Sequence, residues 1–176
     1  INKIVKKANH GFEYIDLGGG FGIDYMHNNQ KFNLKKYSSD VHKFLKKNKS
    51  KIIFEPGRSI IGNAAILIAK IIYIKKGFKK DFIIIDSAMN DLMRPALYNA
   101  KHKIIPLVKR KTFSQKPYEF VGPICESTDK FSTVKNFQML KEKEFVAICD
   151  VGAYGMSLSS NYNVRPKPME ILIKGS

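Results

Sequence analysis

Two strand–loop–helix units open this chain, no further such unit follows them, and that break limits the folds open to it. Phe12-Glu13-Tyr14-Ile15-Asp16-Leu17 reads as a short strand that runs straight into Gly18-Gly19-Gly20-Phe21-Gly22. Leu34, Tyr37, Val41, Phe44 and Leu45 then recur at helical spacing across 34–48. A second strand, Lys51-Ile52-Ile53-Phe54, runs into Glu55-Pro56-Gly57-Arg58, with Ser59 as the N-cap of the helix after it. This alternation marks parallel βα units. A parallel sheet needs helices on both faces or closure into a barrel, and a barrel needs eight units and about 250 residues. The chain has 176 residues. Ile1 to His10 reads as part of a helix, and Ile173-Lys174-Gly175-Ser176 as a strand with a turn beginning. The sequence is therefore expected to be a piece of a larger protein.

From about Ile66 the pattern changes. Residues 66–75 and 82–86 are Ile-rich and strand-like, and 120–122 and 145–149 add shorter strands punctuated by Gly and Pro. One short helix is expected from Asp91 to Ala100, with Pro95 in its early turns. The second half is mainly β. The boundary falls near residues 66–75 and is drawn as 1–68 and 69–176.

Composition excludes several classes. At 44% hydrophobic residues the chain can fill a core, which argues against disorder. The most apolar stretch, 59–74, is broken by Asn63 and Lys70 and is too short for a bilayer. Cys125 and Cys149 are too few for a disulfide scaffold, so a reducing, cytoplasmic setting is expected. The formal charge of +16 raises nucleic acid as a partner. However, only Arg58, Arg94, Arg110 and Arg165 among the 31 basic residues are arginine. The lysines fall in runs that read as solvated faces and turns, so no nucleic acid is expected.

Several segments carry chemistry-bearing residues. The glycine loop 18–22 follows a strand and reads as a tight turn or as a phosphate cradle, since glycine lets backbone N–H groups approach an anion. It lacks the spacing of the dinucleotide fingerprint. Glu55 and Arg58 stand after the adjacent parallel strand, where ligands bind in such folds. Arg58 offers a bidentate grip on phosphate or carboxylate, and Glu55 a partner for a protonated ring nitrogen; a surface salt bridge is the plainer alternative. Arg94 and Tyr98, four apart, share one helix face and suit a carboxylate, or else form an ordinary helix end. Gly122-Pro123-Ile124-Cys125-Glu126-Ser127 sets a thiol beside a carboxylate, suited to proton transfer or simply to a buried apolar niche. Tyr154 lies among small residues in Asp150-Val151-Gly152-Ala153-Tyr154-Gly155-Met156-Ser157, and residues 159–168 form a polar, proline-stiffened stretch. His10, His27, His42 and His102 show no ligand spacing, so no metal site is expected.

Taken in order, these segments closely resemble the diaminopimelate decarboxylase branch of the pyridoxal-phosphate-dependent, alanine-racemase-like decarboxylases. The likeness runs from Tyr14 to about Ile173. The glycine loop and Glu-Pro-Gly-Arg are shared with ornithine and arginine decarboxylases. Residues 89–98 and 152–168 are much more specific to the diaminopimelate branch, and Cys125-Glu126-Ser127 fits that branch better than the Cys-Asp form typical of ornithine decarboxylases.

The resemblance implies an α/β-plus-β fold: the C-terminal part of a cofactor-binding (β/α)8 barrel, followed by a β-rich domain, incomplete at its end. It implies a homodimer with shared active sites. It further implies that Gly18, Gly19, Gly20, Gly57 and Arg58 bind the phosphate of pyridoxal 5'-phosphate and that Glu55 pairs with the ring nitrogen. Arg58, Arg94 and Tyr98 would take the distal carboxylate of the substrate, meso-diaminopimelate, and Glu126 its distal ammonium. Tyr154 would contact both cofactor and substrate. Cys125 would be the proton donor, acting with Glu126 on the neighbouring subunit's site. The lysine that anchors the cofactor in this family lies in an N-terminal half with no counterpart here. The chain alone is therefore expected to be inactive and to pair with such a half. An ornithine- or arginine-type decarboxylase, or a silent binding remnant of the fold, are the alternative readings.

Overall fold

The computed structural model describes residues 2–30 and 32–175. The described chain divides into two compact units, 1–24 with 28–60, and 25–27 with 61–176.

The smaller unit opens with helix α1 (Asn2–Lys7); Ile1, also expected in a helix, lies outside the described residues. Strand β1 (Tyr14–Asp16) pairs in parallel with β2 (Lys51–Ile53), Tyr14 opposite Lys51 and Asp16 opposite Ile53. Helix α2 (Leu34–Leu45) connects them, as its apolar spacing predicts. Asn33 caps it, its side chain accepting from the Lys36 amide at 2.9 Å. Helix α3 (Gly57–Ile61) starts three residues earlier than the sequence suggests. Ser59 is thus inside the helix and not its N-cap; its hydroxyl donates back to the Pro56 carbonyl at 2.8 Å.

The larger unit is a mixed sheet of six strands in the order β5-β8-β3-β4-β6-β7. Its strands are β3 (Leu67–Lys75), β4 (Asp81–Ile85), β5 (Ile104–Pro106), β6 (Tyr118–Val121), β7 (Lys130–Val134) and β8 (Phe145–Ile148). Only β4 and β6 pair in parallel; the other neighbours are antiparallel. Alternation along β3 buries Ala69 and Ile71 and turns Ile68 and Lys70 outward. A register shift against β4 between Ile71 and Tyr73 then leaves both Ile72 and Tyr73 exposed. Ile71, Ile83, Ile85, Phe120, Val146 and Ile148 are fully buried and form the heart of the core. On the inner strand β6, Tyr118, Glu119 and Phe120 are buried in succession, the Glu119 carboxylate being paired with Lys80 and Lys130.

Helix α4 is Arg94–Tyr98, shorter than the Asp91–Ala100 span read from the sequence. Pro95 starts it, and Asn99 ends it in the left-handed conformation, φ 51°. Strands β5 and β7 went unrecognised in the sequence, because one holds Pro106 and the other alternates polar residues. The strand expected at the C-terminal end does not form: residues 165–175 have no regular structure, and Ser176 lies outside the described residues. No helix among the described residues is long and apolar enough to cross a membrane.

Candidate active site

In the smaller unit, parallel pairing carries the ends of β1 and β2 into neighbouring loops. The Leu17 amide donates to Ile53 at 3.0 Å and the Glu55 amide to Gly18 at 2.9 Å, which zips the glycine loop to Glu55-Pro56-Gly57-Arg58. Gly18 and Gly20 have φ of +66° and +79°, the left-handed region that glycine adopts without strain. A Cβ on Gly19 would stand 2.2 Å from the Glu55 carbonyl oxygen, so only glycine permits this approach. Among the described residues the amides of Gly19 and Gly20 donate to no protein group.

In the sheet unit, Arg94 is buried, its exposure being 5%. Nη1 donates to the Tyr25 hydroxyl at 2.8 Å and to His102 Nε2 at 3.0 Å, and the guanidinium lies 4.9 Å from the Tyr25 ring centre. An arginine donating to Nε2 requires His102 to accept there, so its proton sits on Nδ1 and is donated to the Cys149 carbonyl at 2.9 Å. Burial first, and then the Arg94 charge, hold the His102 pKa below its ordinary value, against the hydrogen bond to Cys149. Neither Nε nor Nη2 of Arg94 meets a protein acceptor among the described residues. Tyr98, at the other end of α4, is 63% exposed, so the two residues differ in environment despite their spacing.

Three segments that the sequence marked separately are knitted together. Asp129 accepts from the Met89 amide at 2.7 Å and the Ile124 amide at 2.8 Å. It packs where a Cβ on Gly122 would intrude, 2.3 Å from a carboxylate oxygen. Asp91 accepts from the Ala88 amide at 2.8 Å. Burial raises the pKa of both carboxyls. Asn90, fully buried, donates to the Ser160 carbonyl at 3.2 Å and accepts from Arg165 Nε at 3.1 Å. Cys125 and Glu126 are exposed on the loop that Asp129 closes. Glu126 Oε1 accepts from the Tyr162 hydroxyl at 2.6 Å. Cys149, by contrast, is buried, and desolvation raises its thiol pKa.

Tyr154 stands on a tight loop at φ 62° and is 44% exposed. The Gly152 amide donates to Gly62 at 3.0 Å, and a Cβ on Gly152 would lie 2.0 Å from the Ile61 carbonyl oxygen. His27 Nε2 is 2.7 Å from Asp150 Oδ2 just before this loop. Among the described residues no group of three or more His, Cys, Asp or Glu could hold a metal ion. Tyr25, His102, Asp129 and Tyr162 were missed by sequence reasoning. Apart from the Arg94–His102 and Ile124–Asp129 pairs, the partners named here lie 36 to 69 residues away, and nothing in local spacing signals them.

A six-stranded mixed sheet carrying these loops is the C-terminal sheet domain of a pyridoxal-dependent decarboxylase. The model of that family matches residues 12–152, and the chain belongs to it. The relatives narrow the likeness further. The diaminopimelate decarboxylase of Aquifex aeolicus is 42% identical over 93% of this chain and 39% of its own length. The crystal structure of diaminopimelate decarboxylase from Helicobacter pylori complexed with L-lysine superposes with a TM-score of 0.78 at 39% identity, over 94% of this chain and 41% of that one. A lysine/ornithine decarboxylase from Vibrio vulnificus shares the fold alone, with a TM-score of 0.76 at 18% identity over 94% of this chain and 45% of that one. The chain thus spans about two fifths of the length of the relatives it matches.

The residues present fit pyridoxal phosphate. Gly18 and Gly20 at positive φ turn the loop; the Gly18 amide donates to Asp16 Oδ1 at 2.7 Å, and the Gly19 and Gly20 amides, which donate to no protein group among the described residues, make a cradle of the kind that receives a phosphate. Glu55 closes the adjoining loop with an exposed carboxylate.

Proposed function

We propose that this chain is the C-terminal part of a diaminopimelate decarboxylase, a cytoplasmic pyridoxal-phosphate-dependent lyase that converts meso-2,6-diaminopimelate to L-lysine and carbon dioxide. Residues 1–68 belong to its (β/α)8 barrel and 69–176 to its β domain, and the enzyme works as a homodimer with shared sites. The observation that carries the reading is the buried Arg94. One nitrogen of its guanidinium is fixed by Tyr25 and His102, and the remaining N–H groups face no protein acceptor. An arginine so held is set up to receive a carboxylate through two parallel hydrogen bonds.

The cofactor, when bound, supplies an electron sink for the electron pair left as the carbon–carboxylate bond breaks. In the smaller unit Gly18, Gly19, Gly20, Gly57 and Arg58 bind its phosphate, and Glu55 keeps the ring nitrogen protonated. In the sheet unit Arg94 and Tyr98 grip the distal carboxylate of the substrate, and Glu126 takes the distal ammonium. Tyr154 packs against cofactor and substrate. Cys125, free and exposed, delivers a proton to the carbon that has lost its carboxylate. A substrate lacking the distal carboxylate leaves Arg94 unpaired, at a cost of about 1–3 kcal/mol.

The test is lysine formation from meso-diaminopimelate with added pyridoxal phosphate. It is run on this chain alone and on its mixture with a lysine-bearing N-terminal half from a related enzyme. Lysine forms only in the mixture. Activity on ornithine exceeding that on diaminopimelate overturns the substrate. No activity when both pieces are folded and associated replaces the reading with a silent remnant.

A further inference from the structure

Residues 159–168 have no part in the reaction as described, yet they are built with unusual care. Asn163 and Val164 both lie in the left-handed region, at φ 54° and 57°. A β-branched residue adopts that conformation only when its surroundings impose it. What imposes it is visible at both ends of the turn. The Ser160 amide donates to the Asn90 carbonyl at 3.0 Å, and Arg165 Nε donates to Asn90 Oδ1 at 3.1 Å. Arg165 Nη2 also reaches the Asp86 carbonyl at 2.5 Å. One fully buried residue, Asn90, therefore fastens the turn before and after its strained pair.

Tyr162 stands inside this turn, and its hydroxyl donates to Glu126 Oε1 at 2.6 Å. Glu126 is also restrained from its own side, because its amide donates to Ile124 at 2.8 Å and Asp129 holds the Ile124 amide. Glu126 Oε2 meets no protein donor among the described residues. The effect is a carboxylate with one oxygen engaged and the other presented.

We infer that Tyr162 is a positioning residue: it holds Glu126 so that Oε2 receives the distal ammonium of the substrate, and thereby sets the preference for a substrate with a charged amino group at its far end. This rests on the decarboxylase reading above. Fixing the carboxylate in advance removes the ordering cost that binding would otherwise carry. The breaking bond lies at the opposite end of the substrate, so the benefit falls on binding and not on the chemical step.

Two measurements test it. In the full chain labelled with tyrosine 13Cζ, Tyr162 is expected to titrate above the ordinary tyrosine value, because its hydroxyl donates a hydrogen bond to Glu126 and the carboxylate charge opposes loss of that proton. Glu126→Gln brings it back down. In the active assembly of this chain with a lysine-bearing N-terminal half, Tyr162→Phe raises KM for diaminopimelate about threefold to tenfold, with kcat within about twofold. It leaves KM for an analogue without the distal amino group unchanged, and it adds nothing in a Glu126→Gln background. A Tyr162 midpoint indifferent to Glu126→Gln overturns the inference whatever the assembly catalyses. So does an equal change for substrate and analogue. An inactive unmodified assembly overturns the decarboxylase reading, whereas an active one that ignores Tyr162→Phe overturns only the inference.

Discussion

The two units are made of similar residues and solve the problem of burial very differently. The sheet unit closes a core in which Ile71, Ile83, Ile85, Phe120 and Ile148 have no exposure at all. The smaller unit has two parallel strands of three residues each and a helix α2 with no buried residue. Its apolar side chains gather in one aromatic group, in which Phe21 lies 5.3 Å from Phe32, 5.1 Å from Tyr37 and 6.2 Å from Phe54. Tyr14, Leu34, Ile53 and Phe54 remain more than a third exposed. Antiparallel strands satisfy their neighbours through short connections, whereas a parallel pair calls for cover on both faces. The contrast teaches that the sheet unit carries the stability of this chain, and that the smaller unit contributes geometry, a pair of zipped loops.

The sharpest way to break that contrast is to remove one large ring from each unit. Phe120→Ala deletes a wholly buried ring and lowers the unfolding free energy by about 3–5 kcal/mol. Phe54→Ala deletes a ring that is 41% exposed and costs about 1 kcal/mol or less. Urea unfolding of the two variants measures both, and equal losses would show that the smaller unit has a core of its own.

A smaller effect separates the units by function. Gly19 and Gly152 each face a carbonyl oxygen at a distance no Cβ tolerates, 2.2 Å and 2.0 Å. Gly152→Ala overpacks the sheet unit and lowers its stability by about 1–3 kcal/mol. Gly19→Ala leaves the unfolding of the sheet unit unchanged and pushes the glycine loop off Glu55. In the assembled enzyme it weakens pyridoxal phosphate about tenfold or more, read by absorbance titration. If the two alanines have the same consequence, the division of labour between the units is wrong.

How much of this the sequence disclosed follows from the same contrast. The two βα units were legible because their signals are local: an apolar helical period in α2 and glycines directly after β1. In the sheet unit the strands rich in Ile were legible, but β7, Lys-Phe-Ser-Thr-Val, alternates too many polar residues to stand out. The motif residues Arg94, Glu126 and Tyr154 were legible by resemblance. Tyr25 and Tyr162, which hold two of them in place, were not, since each reaches its partner across at least 36 residues of chain. Such pairings exist only once the sheet has brought distant loops together.

The smallest effect concerns acid, and it also belongs to the sheet unit. His102 is buried and accepts from Arg94, so its folded pKa lies below the ordinary 6.5. As pH falls through 6.5 the unfolded chain takes up a proton that the folded chain refuses. The stability His102 contributes is therefore complete above 6.5 and is lost as pH falls toward the folded value. Asp91 and Asp129 act oppositely and lower on the scale. Burial raises their folded pKa above 3.8, so the folded chain binds protons first and their contribution weakens as pH rises from 3.8 through the raised values. Unfolding midpoints measured from pH 7.5 to 5.5 fall with pH, and His102→Gln flattens that slope because its side chain cannot charge. An unchanged slope in the variant would mean that His102 admits a proton in the folded state, and the hydrogen bond by which Arg94 is held would have to be redrawn.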